Sequence, residues 1–349
     1  MKAVYYYAPG DIRTEEAKKP QVGANEMLLK VRATAICGTD LRIYKYGHFK
    51  IPEGEKRVLG HELAGEIAEV GANVKGYKVG MRVAVPPNVG CGNCPMCLKG
   101  FNQLCPDYDA FGISMDGGFQ EYMLIPASAI ERGNVIEIPD SLSYEEAALT
   151  EPFSCTYNAY KALKTEPGDT VLVIGAGPIG ACHVMINKLA GACKIIVADI
   201  SQKRLDEMDK FGADVKINSA QKDLKQEIMK ETAGFGVDVV ITANSVPELQ
   251  ALALELAAPR GRINFFGGMP KGKEMVSLNT NLIHYKELIA LATTGSSLED
   301  FYTSLQIASS GKIPLREIAT GIFTLDEAKQ AFEYASSGAG MKALIVNKN

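Results

Sequence analysis

The sequence predicts a two-domain α/β protein: a strand-rich first half, then a doubly wound parallel sheet with helices on both faces. Three observations carry this. The 349 residues are enough for about two domains. The texture changes near residue 142, from short alternating runs broken by Gly, Asn and Pro to a steady alternation of apolar strands and helices. The longest apolar stretches, such as Val171 to Ile174 and Ile195 to Ala198, are only strand-length, so no membrane span is expected.

In the first half, strands are expected over Ala3–Tyr7, Glu26–Ala35, Glu62–Val70, Arg82–Val85 and Gly118–Ile125. Leu41–Tyr46 looks helical, with Asp40 as its cap. Ser143–Ala162 has helical periodicity that Pro152 should interrupt or kink. The alternation then runs strand Asp169–Ile174, helix Gly180–Ala190, strand Lys194–Ile200 and helix Ser201–Phe211, with Ser201 as N-cap. It continues as strand Ala213–Ile217, helix Asp223–Thr232, strand Val237–Thr242, helix Pro247–Leu256 and strand Gly261–Phe266. The tail gives helix Leu298–Ser309, an extended Ile313–Ile318, helix Leu325–Ser336 and a terminal strand Lys342–Val346. Domain limits are set at 1–155 with 294–349, and 156–293.

Composition narrows the function. A content of 46% hydrophobic and 22% charged residues is that of a soluble globular protein. A net charge of -4, no Trp and few aromatics argue against nucleic acid as a partner. Met1 to Tyr7 lacks the apolar core of a signal peptide, so the expected location is the cytoplasm.

The run Val171-Leu-Val-Ile-Gly175-Ala-Gly177-Pro178-Ile179-Gly180 takes a strand straight into G-x-G-x-x-G and a helix. Gly175 permits the turn, Gly177 lets backbone approach a pyrophosphate, and Gly180 lets the helix pack closely. Pro178 and Ile179 fill the two positions between, where helix N–H groups favour an anion. Asp199, about twenty residues on, is placed to accept hydrogen bonds from an adenosine ribose and to repel a 2'-phosphate. NAD is therefore expected; Lys203 and Arg204 just behind leave NADP open, with Arg204 as a further cofactor contact.

Cys91, Cys94 and Cys97 are separated by two residues each, and Cys105 follows after seven. Such gaps let four thiolates converge on one ion, and a four-sulfur tetrahedral shell suits zinc. An iron–sulfur cluster would place its fourth Cys sooner. With no open position, this ion, in a lobe spanning 90–106, is expected to be structural. A second set is more scattered: Cys37 at the end of a strand, His61 and Glu62 at the start of the next, and Glu151 ahead of Pro152. Thiolate, imidazole and carboxylate are the donors of a catalytic zinc that keeps one position for substrate, and Glu62 and Glu151 are both candidates for the oxygen.

These pieces, with Gly38-Thr39-Asp40, Gly117-Gly118-Phe119-Gln120-Glu121-Tyr122 and the glycine turn, resemble the zinc-containing medium-chain dehydrogenase/reductase family over nearly the whole chain. The resemblance implies a GroES-like catalytic domain completed by the tail, plus a Rossmann domain. It implies two zinc ions per chain, the catalytic one on Cys37 and His61 with Glu62 and Glu151 as remaining candidates, and Thr39 as proton relay. Glu at position 151 resembles the polyol and threonine dehydrogenase branch. The implied reaction is hydride transfer between a secondary alcohol of a polyol or sugar derivative and NAD. A sugar phosphate, butanediol or L-threonine is the alternative substrate, and a purely structural zinc-binding protein the alternative outside enzymes. The implied assembly is a homodimer or homotetramer.

Overall fold

The protein, analysed as a computed structural model, is described over residues 1–347. It divides into two compact units. The first takes residues 1–151, 296–311 and 315 onward; the second takes 152–295 and 312–314.

The first unit is built on a seven-stranded sheet. Its order is Ile136–Glu137, Arg82–Ala84, Glu62–Val70, Met27–Ala35, Lys342–Val346 and Ala319–Phe323, and Tyr122–Ile125 also pairs with Met27–Ala35. Met27–Ala35 is the central strand because seven of its nine residues are buried, with only Lys30 and Arg32 partly exposed. Lys342–Val346 is buried at every position. Such runs cannot stand at a solvent edge and instead fill the middle of the sheet. A second, three-stranded sheet pairs Lys2–Ala8 with Asp11–Glu16 and Arg57–Val58. The core beneath it gathers Tyr6, Ile43, Val58, Phe119 and Phe332.

The second unit is a six-stranded, all-parallel sheet: Val215–Asn218, Lys194–Asp199, Thr170–Ile174, Val237–Thr242, Ala257–Asn264 and Ile289–Leu291. Numbered along the chain this order is 3-2-1-4-5-6, the Rossmann arrangement. The central strand Thr170–Ile174 is buried from Val171 onward, as a strand covered on both faces must be.

Four expectations are corrected. Pro152 does not interrupt its helix, which runs unbroken over Tyr144–Leu163. Proline forfeits one backbone hydrogen bond, but the turn on either side of it is buried at Ala148, Leu149 and Phe153, and that packing holds the helix together. The helix after Ser201 is α only over Gln202–Glu207 and tightens to a 3-10 turn over Met208–Phe211, ending at Gly212 in the left-handed region. The strand expected over Gly261–Phe266 lies at Ala257–Asn264, because a bulge opposite Val237 and Val239 absorbs Pro259 and Gly261. Ile313–Ile318 is not extended: Leu315–Ile318 is a 3-10 turn that buries Leu315 and Ile318, and the strand starts at Ala319.

Candidate active site and metal centres

The first centre grows from neighbouring strands. Ala35 on the central strand pairs with Glu62 on one side and Leu344 on the other. Two residues beyond Ala35, Cys37 caps the helix Gly38–Tyr46. Asp40 is therefore the third residue of that helix rather than its cap. Its carboxylate reaches back, Oδ2 accepting the Cys37 N–H at 2.8 Å. Oδ1 accepts the Gly60 N–H at 3.2 Å and lies 3.4 Å from His61 Nδ1. One fully buried carboxylate thus ties the helix start to the turn that delivers His61. Gly60 has to be glycine there. Its φ is +92°, and a Cβ would come within 3 Å of Thr34 and Phe119.

One donor atom each from Cys37, His61 and Glu62 lies within 4.8 Å of the others. Glu151 does not join that trio, although it is buried close enough for His61, Glu62, Lys342 and Asp40 to act on its charge. Burial, with Glu62 beside it, pushes the Glu151 pKa up to about 7. Burial opposes a charge on His61, but Asp40 and Cys37 outweigh it and raise its pKa well above the usual histidine range. Lys342 enters from the terminal strand, and its Nζ donates to Glu62 Oε1 at 2.6 Å in a fully buried ion pair.

The trio fits a zinc ion. Sulfur, nitrogen and oxygen donors converge, and Glu62 Oε2 is buried without a hydrogen-bond partner among the described residues. An orphaned buried carboxylate oxygen is costly unless a cation completes it. Thr39 is half-buried in the first turn after Cys37, and its Oγ1 accepts from Arg42 Nη2 at 3.5 Å. Arg42 itself is exposed. Tyr46, which ends that helix, and Phe49 just beyond it are strongly exposed.

The second centre is the loop of Cys91, Cys94, Cys97 and Cys105, whose sulfurs all lie within 4.8 Å. Backbone N–H groups of Asn93 and Cys94 lower the Cys91 pKa to about 7, whereas burial pushes Cys97 up to about 12. Four sulfurs with no other donor fit a closed structural zinc site, which would deprotonate all four. Gly90 permits the crowding, since a Cβ there would sit 2.6 Å from Cys97 Sγ.

In the second unit, Gly175 turns with φ +121° into the helix Pro178–Leu189, capped by Gly177. A Cβ on Gly180 would come 1.9 Å from the Gly175 carbonyl, so the third glycine is needed by the turn itself. A Cβ on Gly177 would meet nothing within 4 Å. That open space over a helix start fits a pyrophosphate. Asp199 accepts the Ala176 N–H at 2.7 Å and the Ser201 N–H at 2.8 Å, which fixes its carboxylate beside the glycine turn. Arg204 follows in the first turn of helix Gln202–Glu207, its N–H on the Ser201 hydroxyl.

Sequence reasoning passed over Lys342. The only signal was a lone cation at the head of the apolar run Lys342–Val346.

A Rossmann sheet joined to a strand-rich unit with two converging sets of metal donors defines the zinc-binding dehydrogenases. Residues 23–140 match the alcohol dehydrogenase GroES-like domain, and residues 178–310 match the zinc-binding dehydrogenase domain. The L-threonine 3-dehydrogenase of Pyrococcus abyssi is 36% identical over 95% of this chain and 94% of its own. The sorbitol dehydrogenase of Bacillus subtilis is 36% identical over 96% of this chain and 93% of its own. A solved zinc-binding dehydrogenase of Sinorhizobium meliloti, bound to NADP, superposes with a TM-score of 0.91 at 30% identity over 99% of both chains. The chain belongs to the zinc-containing medium-chain dehydrogenase/reductase family. It is a zinc-dependent, NAD(P)-linked oxidoreductase of a hydroxylated substrate, with two zinc sites. Among the described residues no helix is long and apolar enough to cross a membrane.

Proposed function

We propose that the chain oxidises a secondary alcohol of a small polyol or sugar derivative, with NAD as the preferred hydride acceptor. The observation that carries this is the convergence of Cys37, His61 and Glu62 around an orphaned carboxylate oxygen, with a second carboxylate, Glu151, buried nearby. Cys37, His61 and Glu62 would hold the catalytic zinc, with Glu151 buried nearby as the remaining candidate. When bound, zinc supplies a Lewis acid for the alcohol oxygen and NAD the acceptor for its hydride.

The protein's own groups do the rest. Asp40 sets the His61 ring and the Cys37 backbone. Thr39 takes the hydroxyl proton and passes it to solvent along the exposed face of its helix. Cys91, Cys94, Cys97 and Cys105 hold the structural zinc. Gly175, Gly177, Pro178, Ile179 and Gly180 cradle the pyrophosphate, Asp199 accepts from the adenosine ribose, and Arg204 flanks it.

A second substrate reading rests on Arg42. Its guanidinium touches Thr39 and makes no ion pair among the described residues, which favours a substrate that brings its own anion: the carboxylate of L-threonine or the phosphate of a sugar phosphate. The Pyrococcus abyssi relative is named for L-threonine.

A panel of sorbitol and other polyols, their phosphates, 2,3-butanediol and L-threonine, followed by NADH absorbance, tests both. The polyol reading expects the highest kcat/KM with a neutral polyol. Turnover confined to L-threonine or to phosphates overturns it in favour of the Arg42 reading. We place the enzyme in the cytoplasm as a homodimer or homotetramer, paired through the edge strand Ile289–Leu291, where Ile289 and Ala290 are exposed.

A further inference from the structure

We propose that Lys342 is a positioning residue that competes with the catalytic metal for Glu62, restricting that carboxylate to one oxygen at the metal and so keeping room for the substrate. The inference rests on the ligand set proposed above.

The sheet brings the two charges together. Glu62, Ala35 and Leu344 form one row across three adjacent strands. Side chains two residues apart return to the same face, so Lys342 stands beside this row at the level of Cys37. Its side chain is 5% exposed, and that of Glu62 is fully buried. Burying an ammonium costs several kcal/mol unless it is paired, and Met or Leu would fill the same space at no such cost. Packing alone therefore does not account for Lys342.

What the ammonium does is visible in the carboxylate. Oε1 of Glu62 is taken by Lys342 Nζ at 2.6 Å, while Oε2 has no hydrogen-bond partner among the described residues and belongs to the carboxylate that closes the trio with Cys37 and His61. The cluster is rich in acidic groups: Cys37, Glu62, Glu151 and Asp40 gather around His61 and Lys342. A dication and an ammonium share this field and draw on the same carboxylate. With Lys342 in place, Glu62 offers one oxygen, so three protein donors leave a fourth position open. Without it, both oxygens swing to the metal, which is then held more tightly while the substrate position closes.

The experiment uses purified holoenzyme carrying Lys342→Met and, separately, Lys342→Arg. Zinc affinity is read by chelator competition, coordination by the visible spectrum after cobalt substitution, and turnover by NADH absorbance. Lys342→Met is expected to raise catalytic-zinc affinity at least tenfold, weaken the cobalt visible bands as coordination number rises, and lower kcat at least tenfold. Lys342→Arg keeps the charge, and hence the fold, but its fork takes both Glu62 oxygens, so zinc affinity falls below wild type. A merely structural lysine would lose zinc affinity and kcat together in Lys342→Met. That outcome, an unchanged kcat in Lys342→Met, or a shift of zinc affinity in the same direction for both variants, overturns the proposal. If Lys342→Met does not fold, the sign of the Lys342→Arg shift decides alone. If Cys37→Ser still holds two zinc ions, the ligand set itself is wrong and the tether falls with it.

Discussion

Asp40 shows how much one buried side chain can decide. It joins Cys37 at a helix start to Gly60 and His61 in the connection before Glu62–Val70, so replacing it should loosen the metal centre while every proposed ligand stays in place. Cys37→Ser is expected to abolish turnover and to leave one zinc per chain by elemental analysis, the fold and the four-cysteine ion intact. On the L-threonine or phosphate reading, Arg42→Gln raises KM for the anionic substrate at least tenfold, since a charge-assisted hydrogen bond contributes about 1.5–3 kcal/mol. His183 offers a different test. It is fully buried against Phe266, neither ring nitrogen has a hydrogen-bond partner among the described residues, and burial lowers its pKa to about 3. The unfolded chain then binds the proton more readily, so its contribution is constant above the ordinary value near 6.5 and stability is lost as pH falls from there toward 3. Between pH 7.5 and 5 this amounts to about 2 kcal/mol. Denaturant titrations of wild type and His183→Leu at the two pH values should differ by that much in their pH response; equal responses would sink the argument.

Among elements, the glycine turn separates folding from binding. Gly180→Ala drives a Cβ into the Gly175 carbonyl and should cost about 2 kcal/mol or more in unfolding free energy. Gly177→Ala meets only open space, so its melting temperature should stay near wild type while NAD affinity, read by fluorescence titration, falls at least tenfold. Strands such as Glu62–Val70, Val237–Thr242 and Lys342–Val346 were legible to the residue, because their patterns are bounded by Gly, Pro or charge. Asp11–Glu16 was not: all its residues but Ile12 are polar and none is buried, and it is a strand because Lys2–Ala8 lies beside it. Ile289–Leu291 was missed for the opposite reason, being three apolar residues that periodicity cannot tell from the end of a helix. In the site, Cys37, His61, Glu62 and Glu151 were legible as donor types, whereas the closeness of Glu62 to Cys37 and His61 appears only once the strands are in register. Lys342 needs a partner 280 residues away, which no local pattern reports.

At the scale of the whole molecule, the exposed edge strand Ile289–Leu291 makes assembly testable. Ile289→Lys places a charge where a second copy would pair, and sedimentation velocity should show it shifting toward monomer, with both zinc ions retained. Lys342–Val346 has a consequence for biosynthesis. On the ribosome, Met27–Ala35 and Glu62–Val70 emerge early, but the strand that completes their sheet is made last, after the nucleotide-binding unit. At about 5–20 residues per second, some 15–60 s separate Glu62 from its lysine. A nascent chain must therefore shelter an unfinished sheet for that time, and a product cut short before Lys342 would carry every proposed metal donor without the residue proposed to hold Glu62 in check.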